Sequence, residues 1–163
     1  MRALDLELDV AVERGPWPDR AAIEDLARRA VTAALAAASD RPAGPIEIGL
    51  LLTDDAGVRT LNRQWRGEDK PTNVLSFPAP DHPGRPGPRP LGDVALAGET
   101  VRREAEAQGK TFADHAAHLL VHGTLHLLGY DHELEAQAEI MEALEVRALA
   151  TLGIADPYRG MAA

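Results

Sequence analysis

Five of the six histidines in this 163-residue chain fall between His115 and His132, and imidazole is the commonest protein ligand for metal ions. The segment HGTLHLLGYDH places His122 and His126 four residues apart. On a helix of about 3.6 residues per turn they project from one face, roughly one turn apart, and can share an ion. Gly129 then supplies a helix stop, because glycine adopts the left-handed conformation that ends a helix and reverses the chain. That reversal can swing His132 back toward the pair. His115 and His118 lie on a similar face and are rival ligands. His115 precedes His122 by about 10 Å along the helix axis, too far to join it on an ion whose Zn–N bonds are about 2 Å. His118 can pair with His122, but no turn nearby then delivers a third ligand. Both are read as packing or solvent-facing residues, with support of the ligands from behind as the lesser reading.

The spacing His-x3-His-x2-Gly-x2-His is that of the metzincin zinc peptidases. Three neutral imidazoles leave an open position for water, the arrangement of a catalytic rather than a structural zinc. One zinc ion is therefore expected on His122, His126 and His132. The departure from the peptidase pattern is equally informative: where those enzymes carry the Glu that acts as general base, this chain has Gly123. That substitution argues against a metzincin peptidase but not against hydrolysis, since a metal alone lowers the pKa of its water to about 7. Asp131, beside His132, has two readings, orientation of a ligand or water and a turn-forming role.

These residues need a scaffold, and the hydrophobic spacing describes one. Leu4 to Val12 alternates apolar and polar positions, the period-2 pattern of a strand with one buried face. After Pro18, apolar residues from Ile23 to Leu35 recur at helical intervals, with Asp19 as cap. Further strands are predicted at Ile46 to Leu52, Val74 to Phe77 and Asp93 to Ala97. Further helices are predicted at Asp54 to Trp65, Glu99 to Gln108, Phe112 to Leu128 and Glu133 to Leu152, the last with Ile140, Leu144 and Leu149 on its apolar face. Pro78 to Pro90, PAPDHPGRPGPRP, is too rich in Pro and Gly for helix or sheet and reads as one loop. The order β-α-β-α-β-β-α-α-α implies an α+β fold: a single domain over residues 1–163, a mixed four-stranded sheet packed with about five helices, the metal site on a central helix and the turn after it.

Composition narrows the chemistry. There are no cysteines, which removes disulfide-linked partners, Cys-ligated zinc, iron–sulfur clusters and thiol nucleophiles together. No apolar run approaches the roughly 20 residues of a membrane-spanning helix, and the amino terminus lacks the apolar stretch of a secretory signal, so a cytoplasmic location is the expectation. A formal net charge of −9 argues against broad adhesion to nucleic acid. It still allows one basic cleft, and 15 of the 17 basic residues are Arg, which pairs bidentately with phosphate.

HGTLHLLGYDH resembles the signature of the YbeY family, bacterial metal-dependent endoribonucleases of ribosomal RNA maturation. LNRQWRGEDKPTNVLSFP (Leu61 to Pro78), LGDVAL from Leu91 and the DPY ending at Asp156 to Tyr158 are similar to further motifs of that family, in its order, over about two thirds of the chain. The resemblance implies a single-strand-directed RNA hydrolase acting at the 3′ end of 16S ribosomal RNA and in ribosome quality control, with the ribosome or small-subunit proteins as partners. It puts zinc on His122, His126 and His132, with His122 and Arg66 as the catalytic pair. Arg66 would bind the scissile phosphate or stabilise developing charge; without the resemblance it reads as a surface arginine ending a helix. Asn73 stands where the family often has Asp, and no acid–base role is assigned to it. Arg85 and Arg89 in the Pro/Gly-rich loop, and Lys70, either touch RNA or are simply exposed. Two other readings remain: a non-catalytic ribosome-assembly or RNA-binding factor with a structural metal, and another zinc hydrolase.

Overall fold

The structure, a computed structural model, describes residues 4–39, 41–80, 84 and 86–159. Within them run β1 (Leu6–Val12), α1 (Arg20–Ala37), β2 (Ile46–Thr53), α2 (Asp55–Arg66), β3 (Val74–Pro78), β4 (Arg89–Ala97), α3 (Gly98–Gln108), α4 (Phe112–Leu127) and α5 (Glu135–Thr151). The α+β architecture, its mixed four-stranded sheet and its five helices are as the spacing predicts. Three of the five helix starts, those of α1, α2 and α4, follow capping residues. Asp19 accepts from the backbone N–H of Ala22 at 3.1 Å, Asp54 from Gly57 at 2.8 Å and Thr111 from Asp114 at 3.1 Å, each satisfying a donor that has no partner within the helix.

The sheet order is β1-β2-β4-β3, with β1, β2 and β4 parallel and β3 antiparallel to β4. Alternation along β2 buries Ile46, Ile48, Leu50 and Leu52 on one face, and α1 and α4 close over that side. Helix α4 meets α1, α3, α5, β3 and β4, so its Leu119, Leu120, Val121 and Leu125 are all buried. Each such side chain contributes about 1.5–3 kcal/mol by leaving water. On the opposite face α2 packs Val58 and Leu61 against Leu75, Ala95 and Ala97.

Two expectations need correction. Strand β4 begins at Arg89 rather than Asp93, so the loop is shorter than its composition suggests. Pro90 cannot donate to a ladder, and directly after it the β2–β4 register skips one β4 residue, Leu91, with Pro90 opposite Glu47 and Gly92 opposite Ile48. The second concerns α5, where Ile140 is 57% exposed while Met141, Glu145, Ala148 and Leu149 are buried. The inward face includes a glutamate, which a reading by apolar residues alone turns outward.

Candidate metal centre

His122 and His126 lie on the last turns of α4, and the chain reverses immediately after them. Tyr130 N donates to Leu125 O at 3.2 Å and Gly129 N to His126 O at 3.0 Å, with Gly129 at φ +100°. This is the Schellman arrangement, in which glycine tolerates the positive φ that ends the helix. It returns His132 to the pair. The Nε2 atoms of His122 and His126 stand 3.1 Å apart, and one nitrogen from each of the three histidines lies within 4.8 Å of the others. Nitrogens about 2.0–2.1 Å from a tetrahedral zinc are about 3.4 Å from each other, so the three donors fit one ion with small ring adjustments. Burial first, then the neighbouring imidazoles, lowers the pKa of His126, which favours the neutral ring that ligation requires.

A second layer stands behind the three histidines. Glu145, on α5, is 1% exposed. Its Oε2 lies 3.3 Å from Nδ1 of His122, and its Oε1 lies 2.7 Å from Nε2 of His118 and accepts from the Tyr158 hydroxyl at 2.7 Å. Burial alone raises a carboxyl pKa, but here the bonds from His118, His122 and Tyr158 outweigh it and hold Glu145 at about 2. Burial and the adjacent carboxylate keep Tyr158 protonated, far above the ordinary phenol range. An ionised carboxylate on Nδ1 selects the tautomer of His122 whose Nε2 lone pair points toward His126. His118 is thus neither a ligand nor solvent-facing; it bonds the group that orients one. His115 is buried as well, against Glu104 at 2.9 Å. Asp131 Oδ1 accepts from His132 N at 2.7 Å and lies 3.9 Å from Nδ1 of the same residue.

The three histidines open onto a cleft of about 520 Å³ lined also by Arg66, Thr72, Asn73, Val74 and Ser76. All four expected site residues therefore meet in one place. Arg66 is the last residue of α2. In the same helix Arg59 pairs bidentately with Asp69 at 2.8 and 3.1 Å, and Arg63 lies 3.9 Å from that carboxylate, whereas Arg66 has no ion pair among the described residues. Buried Asn62 donates to Lys70 O at 2.9 Å and ties down the segment after Arg66.

The Endoribonuclease YbeY family model matches residues 15–153. The chain belongs to the YbeY family. Two curated Endoribonuclease YbeY proteins, from Bradyrhizobium sp. (strain BTAi1 / ATCC BAA-1182) and Chelativorans sp. (strain BNC1), are each 54% identical to it over 154 residues. These alignments cover 92% of this chain and 90% of the first relative, and 93% and 92% for the second. The solution structure of TM1509 from Thermotoga maritima is similar in fold, with a TM-score of 0.56 at 21% identity, covering 90% of this chain and 92% of that one.

In this YbeY chain the position of the peptidase glutamate is closed for a steric reason. A Cβ on Gly123 would lie 2.7 Å from Val94 Cγ1 and 3.2 Å from Ser76 Oγ, and Ser76 donates to Gly123 O at 3.1 Å. The helix touches the sheet there, so no side chain can reach the cleft from that position. Lys70 is exposed, 3.9 Å from Glu68, and does not line the cleft. Arg89 opens β4 opposite Ile46, and Arg85 lies outside the described residues. Sequence reasoning missed Glu145 and gave Tyr158 no task. The available signal for Glu145 was its place one turn from Met141 and from Leu149, on the inward face of α5.

Proposed function

We propose that this protein is a zinc-dependent endoribonuclease that cuts single-stranded RNA, acting on the 3′ end of 16S ribosomal RNA and in ribosome quality control. The observation that carries the reading is the convergence of three histidine nitrogens within 4.8 Å in a cleft that also holds Arg66, in a chain of an endoribonuclease family. His122, His126 and His132 would hold the metal. Zinc on three neutral imidazoles supplies Lewis acidity and a water of lowered pKa. The protein's own part is positional. Glu145 orients His122, Arg66 binds the phosphate through its planar guanidinium, and the packing at Gly123 keeps any general base out of the position used by zinc peptidases. Water and the ribose 2′-hydroxyl are both competent attackers, and the chemistry of the product ends separates them. The partners of this reading are the ribosome or small-subunit proteins and its location is the cytoplasm; no described helix is long and apolar enough to cross a membrane.

Elemental analysis and cleavage of a single-stranded RNA, each on wild type and His126→Ala, test the reading. Near one zinc per chain with RNA cut in the wild type, and both lost in a variant whose circular dichroism is unchanged, is the expected result. Zinc without cleavage in the wild type would replace the nuclease by an assembly factor with a structural metal, and no stoichiometric metal would sink the histidine assignment.

A further inference from the structure

Asn73 lines the cleft just before β3, and its side-chain amide is held rather than free to turn. Its Nδ2 donates to Glu104 Oε1 at 3.0 Å, and the same oxygen lies 2.9 Å from Nε2 of His115. His115 is 3% exposed, and burial lowers its pKa. A neutral ring has one N–H, which the carboxylate draws to Nε2. Nδ1 is buried without a partner, so a proton there would be an unsatisfied buried donor. The backbone is fixed too, since Asn73 O accepts from Ala97 N at 3.0 Å.

This chain from α4 through α3 to the cleft determines which way the amide points. A carboxylate only accepts, so the NH₂ must face Glu104 and the carbonyl Oδ1 is left for the cleft. Among the described residues Oδ1 has no hydrogen-bond partner. Thr72, Asp131 and Glu133 also line the cleft, with Asp131 Oδ1 already accepting from His132 N, and three further polar groups do not compete as free acceptors. Ser76 donates to Gly123 O, the three histidines converge on one another, and Arg66 offers only donors. Asn73 is thus a fixed, uncharged acceptor in the same cleft as an arginine suited to phosphate. On a nucleic-acid strand the donor next to a phosphate is the ribose 2′-hydroxyl, the group that distinguishes RNA from DNA.

We infer that Asn73 Oδ1 accepts a hydrogen bond from the 2′-hydroxyl adjoining the phosphate held by Arg66, which makes Asn73 a specificity residue for RNA over DNA and Glu104 and His115 its positioning residues. The inference rests on the single-stranded RNA reading above and names how that substrate is told from its deoxy counterpart.

The test compares a short single-stranded ribo-oligomer with the all-deoxy oligomer of the same sequence on zinc-loaded protein. Binding is read by stopped-flow anisotropy before cleavage, and KM and kcat are read on the ribo strand. Wild type should bind the ribo strand more tightly. Asn73→Ala should weaken ribo binding about fivefold, the size of one neutral hydrogen bond, raise KM to match and leave deoxy binding as it was. Glu104→Ala should give the same pattern, and Glu104→Gln should restore the wild-type values, because Oε1 makes both contacts and glutamine keeps it. Equal weakening of both strands would mean that Asn73 only holds the fold, and equal binding of both strands by wild type, absence of binding, or no effect of Asn73→Ala would each overturn the inference. Wild type that prefers the ribo strand but never cuts it defeats the nuclease reading alone, and the ribo-to-deoxy ratio of Asn73→Ala still decides this one.

Discussion

Among single residues Glu145 has the largest predicted effect outside the ligands themselves. It is a buried, ionised carboxylate bonded to three groups, one of them the ring of His122. Glu145→Ala leaves those donors unpaired in the interior and frees His122 to rotate, so zinc affinity should fall about 10–100-fold, read by competition with a chromophoric chelator. Unchanged affinity in the folded variant would reduce Glu145 to a packing role. Arg66 makes the opposite prediction. Arg66→Ala should keep zinc and thermal stability at wild-type levels, because the side chain is exposed and has no ion pair among the described residues, while cleavage drops about 10²-fold, as when one donor to developing charge is removed. Arg66→Lys should recover only part, since an ammonium lacks the planar fork.

At the scale of elements, the site depends on how closely α4 approaches the sheet. Gly123 marks the contact, with Val94 of β4 and Ser76 of β3 against its Cα side. Gly123→Ala forces α4 away from both strands, and overpacking of this kind costs about 1–3 kcal/mol. Urea denaturation should show that loss with an unchanged slope; a neutral result would mean that the helix shifts freely. The turn after α4 was legible from Gly129, because the rule for ending a helix is local. The start of β4 was not, because a proline reads as a strand breaker, whereas Pro90 sits in β4 next to an extra residue, Leu91, that the pairing with β2 skips. The inward face of α5 was misjudged for a related reason: what makes Glu145 a core residue is the set of donors that α4 and Tyr158 present to it.

For the molecule as a whole, acid should be the destabilising direction. His115 has a folded pKa below its ordinary 6.5, chiefly through burial, so the unfolded chain binds that proton more readily and stability declines as pH falls through about 6.5. Asp55 is partly desolvated, which raises its pKa, but bonds from Arg103 and Thr100 outweigh this and hold it below 3.8; Asp54 is lowered mainly by the N–H of Gly57. These carboxylates stabilise above their ordinary value, and that contribution disappears as pH falls through their lowered folded values. Unfolding free energy should therefore decline in two stages on acidification. Asp55→Asn should be less stable at neutral pH and should show a shallower second stage. A profile identical to wild type below pH 4 would show that the α2–α3 contact contributes nothing through ionisation.

What the sequence by itself determined is everything whose geometry is short-range. Helix periodicity and one glycine stop bring His122, His126 and His132 together within eleven residues, and alternation with capping residues delimits the strands and helices around them. Arg66 needed the family likeness, because a helix-ending arginine has no local mark of function. Only the tertiary structure decided that Glu145 and Tyr158 stand behind His122, that Glu104 and His115 fix the amide of Asn73, and that Val94 and Ser76 leave room for nothing larger than glycine at position 123. The physical reason is common to all three. Periodicity tells which face of an element is buried, but the group that meets that face comes from a distant part of the chain, and hydrogen bonding or steric fit is a property of the pair.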